Sequence, residues 1–305
     1  MTLLDKTNTN KNIIAFVILQ YGAYLETIKC IESIEKNVRT DYQIIVVDNC
    51  SPDDSYDLLK YQVEQKTNVV LVKTETNLGF ANGNNFGISF ARKNYDPDFI
   101  VVLNNDTRLL DDNFSDVIYE EFDGSKFDLL GPMILSGDGK YTSSPRRNSV
   151  WSVQDIQKSI KLEKLFLHLN RFKLDFIYHA FLRMKAYKRK DKMDCSFFLS
   201  RMENVELHGS FLIFSREYFK KFDGFDGRTF MYCEEPILFT KLFSAKGKTV
   251  YNPRICIFHA EDASTNNAFP KENGKIEFYL ENHIKSCQVL LRVIDEEMNT
   301  KLREE

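Results

Sequence analysis

Phe99-Ile100-Val101-Val102-Leu103-Asn104-Asn105-Asp106-Thr107 is the stretch on which the fold turns. Five apolar residues stop abruptly in a polar cluster that ends in a carboxylate. Such a run reads as a strand buried on both faces, as in parallel sheets. In open α/β sheets, ligands bind beyond the carboxyl ends of these strands. An Asp at that place can hold a divalent metal, and it also reads as an Asx-turn that closes the strand.

Working outward, three similar runs precede it. Ile13 to Leu19, Ile44 to Val47 and Val69 to Val72 are short, apolar and bounded by polar residues. Between them lie helical patterns. Leu25, Ile28, Ile31 and Ile34 have helical spacing within Tyr24 to Val38. Ser51-Pro52-Asp53-Asp54 reads as an N-cap with Pro and acids in the first turn of a helix running to Gln65. Asn77-Leu78-Gly79-Phe80-Ala81 opens a helix that ends near Asn94 and Pro97. Gly79, Gly83 and Gly87 line one face of it, which suits close helix–sheet packing. Strands alternating with helices at short spacing predict a mostly parallel sheet with helices on both faces.

Beyond Asp106 the pattern loosens. A helix over 112–122 and a strand over 129–135 are expected, then a mobile loop over 136–148. From Trp151 to His208 there is no Gly and no Pro. Apolar residues at Leu162, Leu165, Phe166, Leu169, Phe172, Phe176, Ala180, Phe181 and Met184 keep helical spacing. The segment 158–192 holds eleven Lys and Arg against three acids, a surplus of eight, so the remainder carries −11 of the overall −3. A basic amphipathic segment of this kind suits an anionic membrane surface, or packs on the core with a solvated basic face. Further on come a strand after Gly209-Ser210, an aromatic turn at Phe222 to Asp226, and a helix over 237–245 behind Glu234-Glu235-Pro236. Two short strands at 249–251 and 255–258 follow, then a closing helix over 275–293.

The 305 residues allow one large α/β domain or two small ones, and 43% hydrophobic residues supply a sizeable core. The expected division is a polar tail over 1–11, a first α/β half over 12–135, a mobile loop and basic helical insertion over 136–204, a second half over 205–270, and a C-terminal helix over 271–305. Six scattered cysteines show no C-x-x-C spacing, which argues against zinc knuckles and redox motifs and fits a reducing compartment. Met1 to Lys11 lacks the apolar core of a signal peptide, and the longest apolar run is far short of the about 20 residues that span a bilayer. A cytoplasmic chain is expected, peripheral at most to the inner face of the cell membrane. No nucleic-acid partner is expected. An exposed apolar stripe on the closing helix or the insertion would suit a homodimer.

Neither a phosphate-binding P-loop nor the strand–GxGxxG–helix pattern is present. A sheet with nucleotide-sized loops and no Gly-rich phosphate loop needs another means of neutralising a diphosphate, and a divalent cation supplies it.

Several ordered motifs then resemble one family. They are Ile45-Val46-Val47-Asp48-Asn49-Cys50-Ser51, the run from Asn77 to Gly87, Val102 to Thr107, Gly209 to Phe225, Phe230-Met231-Tyr232-Cys233-Glu234-Glu235, and His259. Together they resemble the family-2 inverting glycosyltransferases of the GT-A fold, especially the bacterial rhamnosyltransferase-like branch. The resemblance implies a GT-A (Rossmann-like) mixed α/β sheet with a basic helical insertion. It implies transfer of a sugar from a UDP or dTDP donor, dTDP-rhamnose included, to a hydroxyl of a glycan or lipid-linked acceptor in surface polysaccharide synthesis.

It also implies roles. Asp48 reads the pyrimidine. Asn77, Gly79, Phe80 and Asn85 wall the base and ribose. Asn104 and Asp106, with Asn105 between them, stand at the two ends of the family's D-x-D motif, the first Asp being replaced by Asn104. Asp106 and His259 hold magnesium or manganese. Glu235, paired with Glu234, is the catalytic base that takes the proton from the acceptor hydroxyl. A carboxylate at a helix start is equally a dipole-favourable cap. The family's further acid is Ile237 here. A non-catalytic partner subunit that binds nucleotide or a sister enzyme is the alternative reading. A sugar-nucleotide nucleotidyltransferase is disfavoured, because Gln20-Tyr21-Gly22 does not resemble its phosphate loop.

Overall fold

A computed structural model describes residues 13–136, 144–190, 198–260 and 272–304. The first half is the expected alternation: β1 (Ile13–Gln20), α1 (Tyr24–Asn37), β2 (Asp41–Asp48), α2 (Ser55–Val63), β3 (Val69–Lys73), α3 (Gly79–Tyr95) and β4 (Phe99–Asn104). Then come β5 (Thr107–Leu109), α4 (Phe114–Ser125), β6 (Leu129–Ser136), α5 (Val153–Arg171), α6 (Asp175–Lys190), β7 (Met202–Glu203), β8 (Phe211–Ser215), α7 (Arg216–Phe219), α8 (Glu234–Ser244), β9 (Thr249–His259) and α9 (Glu272–Glu304).

One mixed sheet runs β3-β2-β1-β4-β8-β6-β9-β5, with β7 paired to β9. Its first four strands are parallel, and β8 joins β4 antiparallel. The apolar runs are continuous because both faces are covered. Ile14, Phe16 and Ile18 of β1 and Phe99, Val101 and Leu103 of β4 point into one core with α1, α2 and α4. Ala15, Val17, Ile100 and Val102 point into the other, with α3. Strand order reverses between β1 and β4, which opens the ligand crevice at their carboxyl ends.

Several expectations need correction. The second helix begins at Ser55, because Ser51 spends its hydroxyl on Asp48 instead of capping it. The two short late strands are one strand, β9. Its register against β6 jumps from Pro132↔Asn252 to Met133↔Cys256, so Pro253 to Ile255 bulge out, where a proline that cannot donate is tolerated. The three-residue β5 was not anticipated. Glu234 and Glu235 lie inside α8, not ahead of it.

The insertion is a pair of helices. α5 packs Ile156 and Ile160 with Ile237 of α8 and Ile284, Leu290 and Val293 of α9. The closing helix therefore covers its own apolar stripe within the chain. Part of the expected mobile loop (137–143), the end of the insertion (191–197) and the run after Ala260 lie outside the described residues.

The glycines of α3 work as their spacing suggests. A Cβ on Gly87 would stand 2.4 Å from Cγ1 of Val17, and one on Gly83 2.6 Å from Cδ1 of Leu19. Gly124 in α4, by contrast, faces open space. We expect Gly87→Ala to destabilise the protein by about 1–2 kcal/mol, overpacking outweighing the gain in helix propensity. Gly124→Ala should be neutral or stabilising by up to about 1 kcal/mol. Urea unfolding of the two variants checks the contrast, and equal midpoints would contradict it.

Candidate active site

The crevice is built from two clusters one strand apart, since β1 places Gln20 beside Asp48 and Leu19 beside Asn104. In the first cluster, Asp48 ends β2 and is fully buried. Its carboxylate accepts from Ser51 Oγ at 2.6 Å, from the Ser51 backbone N–H at 3.0 Å and from Gln20 Nε2 at 3.1 Å. Ser51 Oγ in turn accepts from the N–H of Gly22 at 2.9 Å, which ties the β1 and β2 loops together. Asn49 clamps the start of α3: its Nδ2 donates to Asn77 Oδ1 at 3.0 Å and to the Gly79 carbonyl at 3.1 Å, and its Oδ1 accepts from Leu78 N–H at 2.9 Å. Asn77 itself is exposed.

Gly79 has φ +76°, and a Cβ there would meet the Phe230 carbonyl oxygen at 2.1 Å. That carbonyl accepts from Phe80 N–H at 2.7 Å, so the loop that starts α3 and the segment leading to α8 are in direct backbone contact. The Phe80 ring packs edge-on against Phe225, 5.7 Å between centroids. Asn85 is turned elsewhere. Its amide donates to the Phe225 carbonyl at 2.9 Å and accepts from the Phe225 N–H at 2.7 Å, pinning the aromatic turn.

The second cluster forms because the chain turns at Asn105-Asp106 and enters β5, which pairs Thr107 with His259 at the end of β9. Ala260 N–H donates to the Asp106 carbonyl at 3.1 Å. Nε2 of His259 consequently lies 3.2 Å from Oδ1 of Asp106 and 3.5 Å from Nδ2 of Asn104. Both Asp106 and His259 are buried, and Nδ1 of His259 has no partner among the described residues. Asn105 is not part of this group, since its side chain turns under α1 and donates to Thr27 Oγ1 at 3.1 Å.

A donor pair 3.2 Å apart fits adjacent positions of an octahedral ion, whose neighbouring ligands stand about 3.0 Å apart for bonds of about 2.1 Å. One carboxylate and one imidazole are few ligands, which suits an ion completed by phosphate oxygens and water.

The catalytic candidate closes the group. Asn104 N–H donates to the Ser210 carbonyl at 2.9 Å, which brings His208-Gly209-Ser210 alongside. Gly209 N–H donates to Glu235 Oε1 at 3.1 Å, and Arg146 lies 3.5 Å from the same oxygen. Burial pushes the Glu235 carboxyl up, but the charge of Arg146, with the Gly209 N–H, outweighs it and holds the group below its ordinary range. Its side chain is 15% exposed, so it stays reachable. Glu234 faces the opposite way, accepting from Thr229 Oγ1 at 3.0 Å, and burial followed by the charge of Glu235 raises it to about 7. His208 is driven down to about 4 by burial and Arg146, so it is neutral at pH 7, its ring 5.9 Å from that of His259.

Sequence reasoning gave Arg146 no special weight and missed Glu206 altogether. Glu206 is fully buried and accepts from Trp151 Nε1 at 2.9 Å, and Arg147 lies over the Trp151 ring at 4.2 Å. Trp151 thus anchors the insertion at the rim of the site. The one available signal for Glu206 was an acid set between the apolar Val205 and Leu207.

Burial, then the charge of Glu235, raises Glu206 from 4.5 to about 7. Its contribution to stability is therefore full below about pH 4.5 and lost as pH rises through 7. Glu206→Gln keeps the acceptor for Trp151 and removes the titration. The variant should gain on the wild type by on the order of 2–3 kcal/mol between pH 5 and pH 8. Urea unfolding at the two pH values reads the difference, and a constant offset would contradict it.

Residues 16–196 match the protein family described as Glycosyl transferase family 2. That stretch holds Asp48, Asn77 and Asp106, whereas Glu235 and His259 lie beyond it. An uncharacterized protein of Haemophilus influenzae is 28% identical over 114 residues, 36% of this chain and 60% of that protein. Among solved structures, GalNAc-T7 with UDP, GalNAc and Mn2+ is similar with a TM-score of 0.54 at 13% identity, over 82% of this chain and 44% of that one. S. aureus TarS 1-349 in complex with UDP-GlcNAc is similar with a TM-score of 0.51 at 13% identity, over 88% of this chain and 65% of that one. The chain thus spans less than two thirds of each of these relatives, and at such identity the two structures show the shared fold. With the family match covering more than half of its residues, the chain belongs to glycosyl transferase family 2.

Proposed function

We propose that the protein is a divalent-metal-dependent, inverting glycosyltransferase that moves a sugar from a UDP or dTDP donor to an acceptor hydroxyl. The observation that carries this reading is the meeting of Asp106 and His259, 3.2 Å apart, on the same side of the sheet as Glu235, an accessible, ionised carboxylate. When bound between Asp106 and His259, the cation neutralises charge on the leaving diphosphate. Asn49, Asn77 and Gly79 shape the nucleoside side of the crevice, with Asp48 orienting Ser51 beneath it. Glu235 takes the proton of the acceptor hydroxyl as its oxygen bonds to C1 of the sugar. The bond from C1 to the diphosphate oxygen breaks in the same step, and its electron pair leaves with the diphosphate. Arg146 holds Glu235 ionised in readiness for that proton.

The similar structures that carry UDP and UDP-GlcNAc make UDP-sugars the first donors to test, with dTDP-rhamnose next on the strength of the motif resemblance. In Glu235→Gln we expect transfer to fall by roughly 10²–10⁴-fold with donor binding retained. Asp106→Ala should lose metal-dependent donor turnover. Initial rates with a panel of nucleotide sugars check both, and full turnover by Glu235→Gln would overturn the base assignment. A partner subunit without catalytic activity would bind a sister enzyme and turn over no donor.

The insertion supports a lipid-linked acceptor at the inner membrane face, as in bacterial surface polysaccharide assembly. No described helix is long and apolar enough to cross a membrane. Leu165, Phe172, Phe176 and Met184 are nevertheless more than half exposed, and Lys158, Lys161 and Lys164 are exposed on the same helix as Leu165. Aromatic and aliphatic groups among lysines suit an anionic bilayer surface. The protein should sediment with phosphatidylglycerol vesicles at low salt and be released as salt rises. The triple change of Lys158, Lys161 and Lys164 to Glu should abolish this, and failure of the wild type to bind at low salt would contradict it.

A further inference from the structure

Behind the catalytic carboxylates lies a second cluster that the reading above does not use. Cys233 immediately precedes Glu234 and is the N-cap of α8, with φ 62°. His283 and Cys287 are one turn apart on α9. The three residues offer ligand atoms that all lie within 4.8 Å of one another.

The distances are those of a soft-metal site. Cys233 Sγ is 3.7 Å from Cys287 Sγ. Two zinc–sulfur bonds of about 2.3 Å at the tetrahedral angle place their sulfurs about 3.8 Å apart. Cys287 Sγ lies 3.6 Å from His283 Nδ1 and 4.0 Å from its Nε2, beside the ring, so ligation through Nε2 requires the imidazole to turn about its Cβ–Cγ bond. His283 Nδ1 is 2.8 Å from Glu163 Oε2, and Glu163 Oε1 accepts from Ser159 Oγ at 2.9 Å. A carboxylate on the far ring nitrogen is the usual support of a metal-binding imidazole, since it fixes the ring and leaves the other nitrogen for the ion. Both cysteines are buried. The His283 side chain, 22% exposed, provides the way in.

We propose that Cys233, His283 and Cys287 bind a zinc-class divalent cation, with Glu163 orienting His283 and a water or exogenous ligand in the fourth position. Two thiolates and an imidazole select zinc over magnesium or manganese, so this site is chemically distinct from the oxygen-rich one at Asp106. Binding takes both sulfurs as thiolates and joins α9 to the residue that starts α8, two positions before Glu235. The ion thereby staples three helices, α5 through Glu163, α8 and α9, behind the catalytic base. The inference stands on these contacts alone and does not depend on the donor or acceptor proposed above.

The test is metal content and cobalt spectroscopy on the full chain, purified reduced, without chelator and with any affinity tag removed. Elemental analysis should find about one zinc per chain in the wild type and in Asp106→Ala. It should find less than a tenth of that in the double variant Cys233→Ser with Cys287→Ser. Should that variant not fold, cobalt(II) added to metal-free wild type decides. The intense visible bands of a tetrahedral ion with a thiolate-to-cobalt charge-transfer band are expected. A weak octahedral spectrum, zinc retained by the double variant, zinc lost in Asp106→Ala, or a Cys233–Cys287 disulfide with no bound metal in the reduced preparation would each overturn the proposal.

Discussion

The structure depends on one strand pairing, that of β5 with β9. It is only three residues long, yet it sets Thr107 opposite His259 and so brings Asp106 against the imidazole across more than half the length of the chain. Without it β4 would end in an ordinary polar turn, and the carboxyl edge of the sheet would offer a lone Asp. With it, the amino-terminal half of the sheet and the half that carries α8 are joined at the carboxyl edge of the sheet. The backbone bond from Asn104 to Ser210 and the contact of Gly79 with Phe230 repeat the same joining on either side.

Electrostatics then divide the labour between two adjacent carboxylates. Glu235 faces Arg146 and the Gly209 N–H and remains ionised, whereas Glu234 is sealed against Thr229 and its ionisation is pushed up to about 7. Neighbouring acids with opposed environments are a recurrent means of fixing which one accepts a proton. His208, neutral between Glu235 and His259, adds no charge that would repel a cation. Arg146, 3.5 Å from Glu235, is the charge that keeps this carboxylate ionised against its burial.

Much of this was legible before the structure. The continuous apolar runs gave the parallel strands because both faces of the sheet are buried, and the polar residues that stop those runs marked the crevice. The i, i+4 glycines of α3 gave the close helix–sheet contact, seen at Val17 and Leu19. What stayed hidden shares a physical reason: it depends on long-range placement and leaves no periodic signal. β5 is too short to show alternation. Asn85 sits in a motif-like run, yet its amide is consumed by the Phe225 backbone. Glu206 is an acid whose neighbours in sequence predict burial and whose partner, Trp151, is 55 positions away. The Cys233, His283 and Cys287 group has no C-x-x-C signature because its members come from two helices, with only the i, i+4 pair on α9 visible in the chain.

The account's central claim is that Asp106 and His259 form an ion site completed by the diphosphate. Calorimetric titration of UDP into the protein, with manganese and then with excess chelator, tests it most directly. The account predicts weak manganese binding alone, tighter UDP binding with manganese present, and loss of that gain on chelation and in Asp106→Ala. Equal UDP affinity with and without the ion, or an undiminished manganese effect in Asp106→Ala, would contradict it.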